Sequence, residues 1–146
     1  MAIVRAGIEI DAAAAHVFDI LTDLDRYPEW NPFTPRAESS LEIGAPVHLY
    51  VRLRSQRLRH QVEYVTANEP PSRLCWGADI LGRGSRFLAR ADRCQTLTPV
   101  GPHRTLYECT DEITGWLTPV VMRLFGPAMQ RGFEDCAFAL KKRAER

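Results

Sequence analysis

The hydrophobic period changes along this 146-residue chain, and the change restricts the folds open to it. Between Leu41 and Thr114 apolar side chains recur every second residue, as in half-buried antiparallel strands. Val47, Leu49, Val51 and Leu53 alternate with His48, Tyr50, Arg52 and Arg54. Leu58, His60, Val62 and Tyr64 then share a face opposite Arg59, Gln61 and Glu63. Arg73 to Asp79 reads as a strand with Leu74 and Trp76 on one side; Phe87 to Leu97 and about Arg104 to Thr114 follow as two more. Beyond Met122 the period becomes three to four, through Phe125, Met129, Phe133, Cys136 and Leu140, which predicts a long helix ending in Lys141, Lys142 and Arg143. Pro127 restarts or kinks it.

Ahead of this block, Ile3 to Ile10 predicts a strand, and Asp11 caps a short helix with Ala14, Val17, Phe18 and Leu21 on one stripe. Leu24 to Trp30 is a second short helix, and Pro28, Pro32 and Pro35 lead into a loop beginning Trp30-Asn31-Pro32-Phe33. One sheet with its helices segregated at the ends is an α+β layer fold.

With 45% apolar and 25% charged residues, the chain suits a single core over 1–146 with room for an internal cavity. A charge of +1 argues against a dedicated nucleic-acid binder. No stretch approaches the roughly 20 apolar residues of a spanning helix, and Met1 to Asp11 has no signal-peptide core, so a cytoplasmic protein is expected. Cys75, Cys94, Cys109 and Cys136 contain no C-x-x-C pair and are expected as reduced thiols. The four histidines are scattered, so no metal site is expected. Gly82-Arg83-Gly84-Ser85 lacks the Lys-Ser/Thr of a phosphate loop and reads as a hairpin turn.

Several local patterns occur in order: Ile8-x-Ile10-x-Ala12, Val17-Phe18, Trp30-Asn31-Pro32-Phe33, Glu69-Pro70-Pro71-x-x-Leu74-x-Trp76, Asp111-x-Ile113-x-Gly115 and Leu140-Lys141. Together they resemble bacterial polyketide cyclase/dehydrase-type members of the START-like (SRPBCC) superfamily over nearly the whole chain. The resemblance implies a helix-grip fold, in which a curved antiparallel sheet of about seven strands wraps the long C-terminal helix around an apolar tunnel. It implies no universal catalytic residue and no cofactor. Where the family frequently has a His and a Phe, this chain has Arg93 and Gln95.

On that fold the inward face supplies His60, Tyr64, Trp76, Arg93, Gln95, Tyr107, Cys109 and Asp111, joined by Met129, Phe133 and Cys136 from the helix. Trp30 and Phe33 are expected to close one end of the tunnel or to anchor their loop. If Gln95 pairs with Tyr107, Arg93 lies diagonally across from Asp111; the two either neutralise one another or act on a ligand. In the second case Arg93 holds an enolate, carboxylate or phenolate oxygen while Asp111 or Tyr107 exchanges protons, and His60 has the ordinary pKa of a general base. A hydrophobic oxygenated metabolite undergoing cyclisation or dehydration, and a lipid, quinone or antibiotic merely carried, are both compatible with such a tunnel. Arg52, Arg54, Arg59 and Arg73 are expected on the solvent face, either as a solvated surface or as a dock for an acidic acyl-carrier protein or an anionic membrane.

Overall fold

Alternating segments become strands, and the three-to-four-spaced tail becomes the helix they wrap, in a computed structural model that describes residues 1–53 and 57–146. The order is β1 (Ala2–Ile10), α1 (Ala14–Thr22), a 3₁₀ helix (Leu24–Glu29), β2 (Arg36–Glu38), β3 (Pro46–Val51), β4 (Arg59–Glu69), β5 (Arg73–Asp79), β6 (Arg90–Gly101), β7 (Arg104–Thr114) and α2 (Thr118–Ala144). All strand pairs are antiparallel, in the order β1-β7-β6-β5-β4-β3-β2. The closing pair β1–β7 joins the first strand to the last, so the helices α1 and α2 lie against one curved face. This is the expected helix-grip architecture.

Several boundaries differ from expectation, and β6 begins at Arg90 rather than Phe87. β2 is only three residues long, too short for alternation to announce it. α1 begins after Ala13 without a side-chain cap, since the cap position falls two residues beyond Asp11, whose backbone N–H donates to Glu145 Oε2 at 2.8 Å and whose carboxylate faces Arg104. Pro127 is accommodated within the continuous α2, which spans about 40 Å.

The buried stripe of α2, with Phe133, Cys136 and Leu140, packs with Leu49, Leu74 and Trp76 of the sheet in one core. Each such large apolar side chain contributes about 1.5–3 kcal/mol by leaving water. Polar ties fix the flanking helices: Tyr27 Oη donates to Leu21 O (2.6 Å), and Thr105 Oγ1 to Ala12 O (2.7 Å).

Gly132 has no side chain for a steric reason. A Cβ there would lie 2.1 Å from Phe33 Cδ1, so only glycine lets the ring lie on the helix. Gly115, with φ +104°, turns β7 into α2 where a Cβ would meet Leu88 O at 2.5 Å. The adjoining backbone locks this turn onto the β5–β6 connection through Trp116 N–H to Phe87 O (3.0 Å) and Leu117 N–H to Leu88 O (2.8 Å).

The ladder between β4 and β5 runs from Glu69↔Arg73 to Tyr64↔Gly77 and stops there. Residues Arg59 to Glu63 of β4 continue beside β3, while Ala78 and Asp79 of β5 continue beside β6. The two halves therefore splay, opening a wedge of about 310 Å³ bordered by Gln61, Glu63, Ala78 and Ile80.

The cysteines correct the reduced-thiol expectation. Cys75 and Cys94 face one another across β5 and β6 and are joined by a disulfide, whereas Cys109 and Cys136 are free and buried. Sequence spacing alone does not reveal a pairing that depends on strand register. No helix among the described residues is long and apolar enough to cross a membrane.

Candidate functional site

Between α2 and the inner face of the sheet lies a cavity of about 100 Å³, most of whose wall is aliphatic or aromatic. Arg93 from β6, Asp111 from β7 and Glu63 from β4 bring charge chemistry into it. Arg93 and Asp111 are directly opposite in the ladder, with Leu97↔Tyr107, a shift of two residues from the expected pairing that preserves the faces. Arg93 is also opposite Trp76 on β5.

The Arg93 guanidinium is buried without an ion pair among the described residues. Its Cζ lies 4.6 Å from the centroid of Phe133, 5.7 Å from Phe33 and 5.8 Å from Trp76, while Nε donates to Cys109 Sγ at 3.2 Å. Ring faces offset part of the desolvation cost of the charge. Burial opposes that charge, the Cys109, Tyr107 and Cys136 surroundings favour it, and the group stays protonated.

Asp111 is 7% exposed, and its Oδ1 has no hydrogen-bond partner. Burial, reinforced by the Glu63 charge and opposed by Arg93, pushes its carboxyl up to about 8. Glu63, 8% exposed, accepts from Gln61 Nε2 at 2.9 Å. Burial raises its pKa to about 7, against the hydrogen bond from Gln61 and the attraction of Arg93. Near neutrality the cavity thus holds the buried Arg93 cation, with Arg59 at its edge, one carboxyl mostly protonated and a second near half-titration, a division suited to donating and accepting protons.

Phe33, Met129 and Phe133 line this cavity with Arg93 and Asp111. Trp76 and Cys109 stand against Arg93 rather than on the wall. Tyr107 Oη donates to Gln95 Oε1 at 2.8 Å, deeper in the core; burial raises the phenol far above its usual range, and Cys136 is raised likewise to about 11. Trp30 packs edge-on against Tyr27 and borders Ala139 and Arg143, about 20 Å along α2 from Phe125. In the same loop, Asn31 Oδ1 accepts from the N–H groups of Phe33 and Thr34, and this turn aims Phe33 inward.

The assignment of faces on the first half of β4 is corrected. His60 and Tyr64 (48% exposed) are on the outer face, with His60 stacked on Tyr50 and its Nε2 3.1 Å from His48 Nδ1. Arg59, Gln61 and Glu63 point inward because β4 keeps the phase set by buried Val65 and Ala67. Counting back by twos from those residues is the signal that identifies Glu63. The expected basic surface also divides. Arg52 and Arg59 are near the cavity mouth, Arg73 is at the other end of β5, and Arg54 lies outside the described residues.

A sequence profile for polyketide cyclase/dehydrase and lipid transport proteins matches residues 1–145. Among solved structures, the Zhui aromatase/cyclase from Streptomyces sp. R1128 is 18% identical with a TM-score of 0.78, covering 99% of this chain and 94% of that one. A START superfamily protein from Mycobacterium smegmatis is 20% identical with a TM-score of 0.71, covering 98% and 97%. Norcoclaurine synthase from Thalictrum flavum, solved with dopamine and hydroxybenzaldehyde, is 12% identical with a TM-score of 0.71, covering 97% and 85%. Comparison with curated proteins finds no match.

Proposed function

Because this chain belongs to the polyketide cyclase/dehydrase and lipid transport family, we propose that its cavity binds a hydrophobic, oxygenated small molecule and catalyses proton transfer leading to cyclisation or dehydration. The observation that carries this reading is the enclosure of Arg93, Glu63 and Asp111, whose Oδ1 has no hydrogen-bond partner, in one largely apolar cavity. Arg93 stabilises oxygen charge as an enolate develops, since a cation held in a dry aromatic cage needs no reorganisation to meet it. Glu63 takes the proton from the adjacent carbon, and Asp111 returns a proton to the departing or carbonyl oxygen. The wall supplies proximity by folding the substrate against itself. A cavity of about 100 Å³ takes a single ring or its open-chain equivalent, so a longer substrate extends through the mouth.

The test is hydrogen–deuterium exchange of a small enolisable 1,3-diketone in D₂O, followed by NMR. The wild type should accelerate exchange over buffer, and Glu63→Gln or Arg93→Met should reduce that acceleration by about 100-fold or more. Exchange at the buffer rate with the wild type would remove the catalytic reading. The largely apolar wall also favours a carrier, which would show itself by retaining an unaltered guest in native mass spectrometry.

A further inference from the structure

Three connected segments surround the cavity mouth. Leu53 and Arg59 flank it from the β3–β4 connection, Ile80 from the β5–β6 connection, and Val121 and Phe125 from the first turns of α2. Arg59 Cζ stands 5.4 Å over the Phe125 ring, and the backbone bonds at Phe87 and Leu88 hold the second segment to the third. The described residues of 51–61, 80–91 and 113–131 include three, three and two arginines, respectively, and no Asp or Glu, and of these Arg90 is held in ion pairs with Asp79 and Asp92. No ion pair among the described residues joins Arg52, Arg59, Arg83, Arg86 or Arg123 to a carboxylate.

The same segments leave large apolar side chains in water. Trp116 is 84% exposed and Phe87 63%, with Leu58, Leu81, Val120 and Leu124 also exposed. Such a concentration of apolar surface at one end marks an interaction site. Its charge excludes a second copy of this end as the occupant, because arginines would oppose arginines. Its shape favours a lipid surface over an acidic protein: the apolar groups protrude from separate turns around an opening, where a fluid layer can meet them without a complementary groove. Exposed Trp and Phe beside arginine are the side chains that settle at a headgroup boundary.

We propose that the cavity mouth docks on an anionic lipid bilayer, with Trp116 and Phe87 at the headgroup boundary and Arg83, Arg86 and Arg123 facing lipid phosphates. In this orientation a guest passes between bilayer and cavity without crossing bulk water.

Sedimentation of the full chain with vesicles of phosphatidylcholine, with and without phosphatidylglycerol, tests the proposal. Binding should be about tenfold or more stronger to the anionic vesicles and should weaken with salt. Tryptophan emission should shift to the blue on binding, and Trp116→Ala should abolish the shift, since Trp76 is buried and Trp30 lies at the far end of α2. Arg83→Glu combined with Arg86→Glu should reduce binding about tenfold or more while leaving the melting temperature unchanged, because both side chains are exposed and neither lines the cavity. Equal binding to both vesicle types, or an unaltered double variant, would overturn the proposal. Failure to bind vesicles together with salt-sensitive binding of an acidic acyl-carrier protein would assign the mouth to that partner instead.

Discussion

Replacing Asp111 by Asn removes a buried carboxyl whose proton affinity differs sharply between the folded and unfolded chain. In the fold its pKa stands near 8, against an ordinary 3.8. Between those values the folded state holds a proton that the unfolded chain releases, so stability must fall as pH rises. The full gap corresponds to about 6 kcal/mol at roughly 1.4 kcal/mol per pH unit. Glu63 adds the same sign over a narrower window, from 4.5 to about 7, with about 3 kcal/mol. An asparagine stays neutral throughout and leaves only the Glu63 slope. Urea unfolding at successive pH values should therefore show the wild type losing about 3–4 kcal/mol more than Asp111→Asn between about pH 5 and pH 8. Parallel curves, or a wild type that gains stability over this range, would refute the argument that Asp111 is held neutral by burial.

Arg93→Met should leave the melting temperature equal or higher, since an apolar chain of similar length ends the burial of an uncompensated charge, while binding of a phenol or carboxylic acid measured by calorimetry is lost. Gly132→Ala should lower the melting temperature by several degrees in a calorimetric scan. The gain of about 1 kcal/mol in helix propensity is outweighed by displacement of the Phe33 ring. Reduction of Cys75–Cys94, which are 19 residues apart, should cost about 3 kcal/mol of stability by urea titration, without altering the Asp111-dependent pH slope.

The layer architecture was legible because period reports burial directly, and β3, β5, β6, β7 and α2 keep their apolar faces where alternation puts them. The same rule fails on β4, where the inward positions nearest the cavity are Arg59, Gln61 and Glu63 while His60, Val62 and Tyr64 lie on the outer face. Apolar patterning points away from the cavity there because the part of the wall that β4 supplies is polar, a local inconsistency expected where function competes with packing. Arg93 and Asp111 were found because each puts a charge into an inward row that is otherwise uncharged. Their aromatic and thiol neighbours, and the Cys75–Cys94 link, depend on cross-strand register, which alternation does not determine.

The wedge between β4 and β5 makes the sheet mechanically two blades. β1, β7, β6 and β5 form one, and β4, β3 and β2 the other, joined by the Tyr64–Glu69 ladder. Beyond Tyr64 and Gly77 no ladder joins the two blades, so their separation beside the cavity is set by side chains rather than by backbone hydrogen bonds. Glu63 rides on one blade, and Arg93 and Asp111 on the other. The spacing between the base and the two groups it works with is therefore held by side-chain packing across the wedge and not by the sheet's own hydrogen bonds.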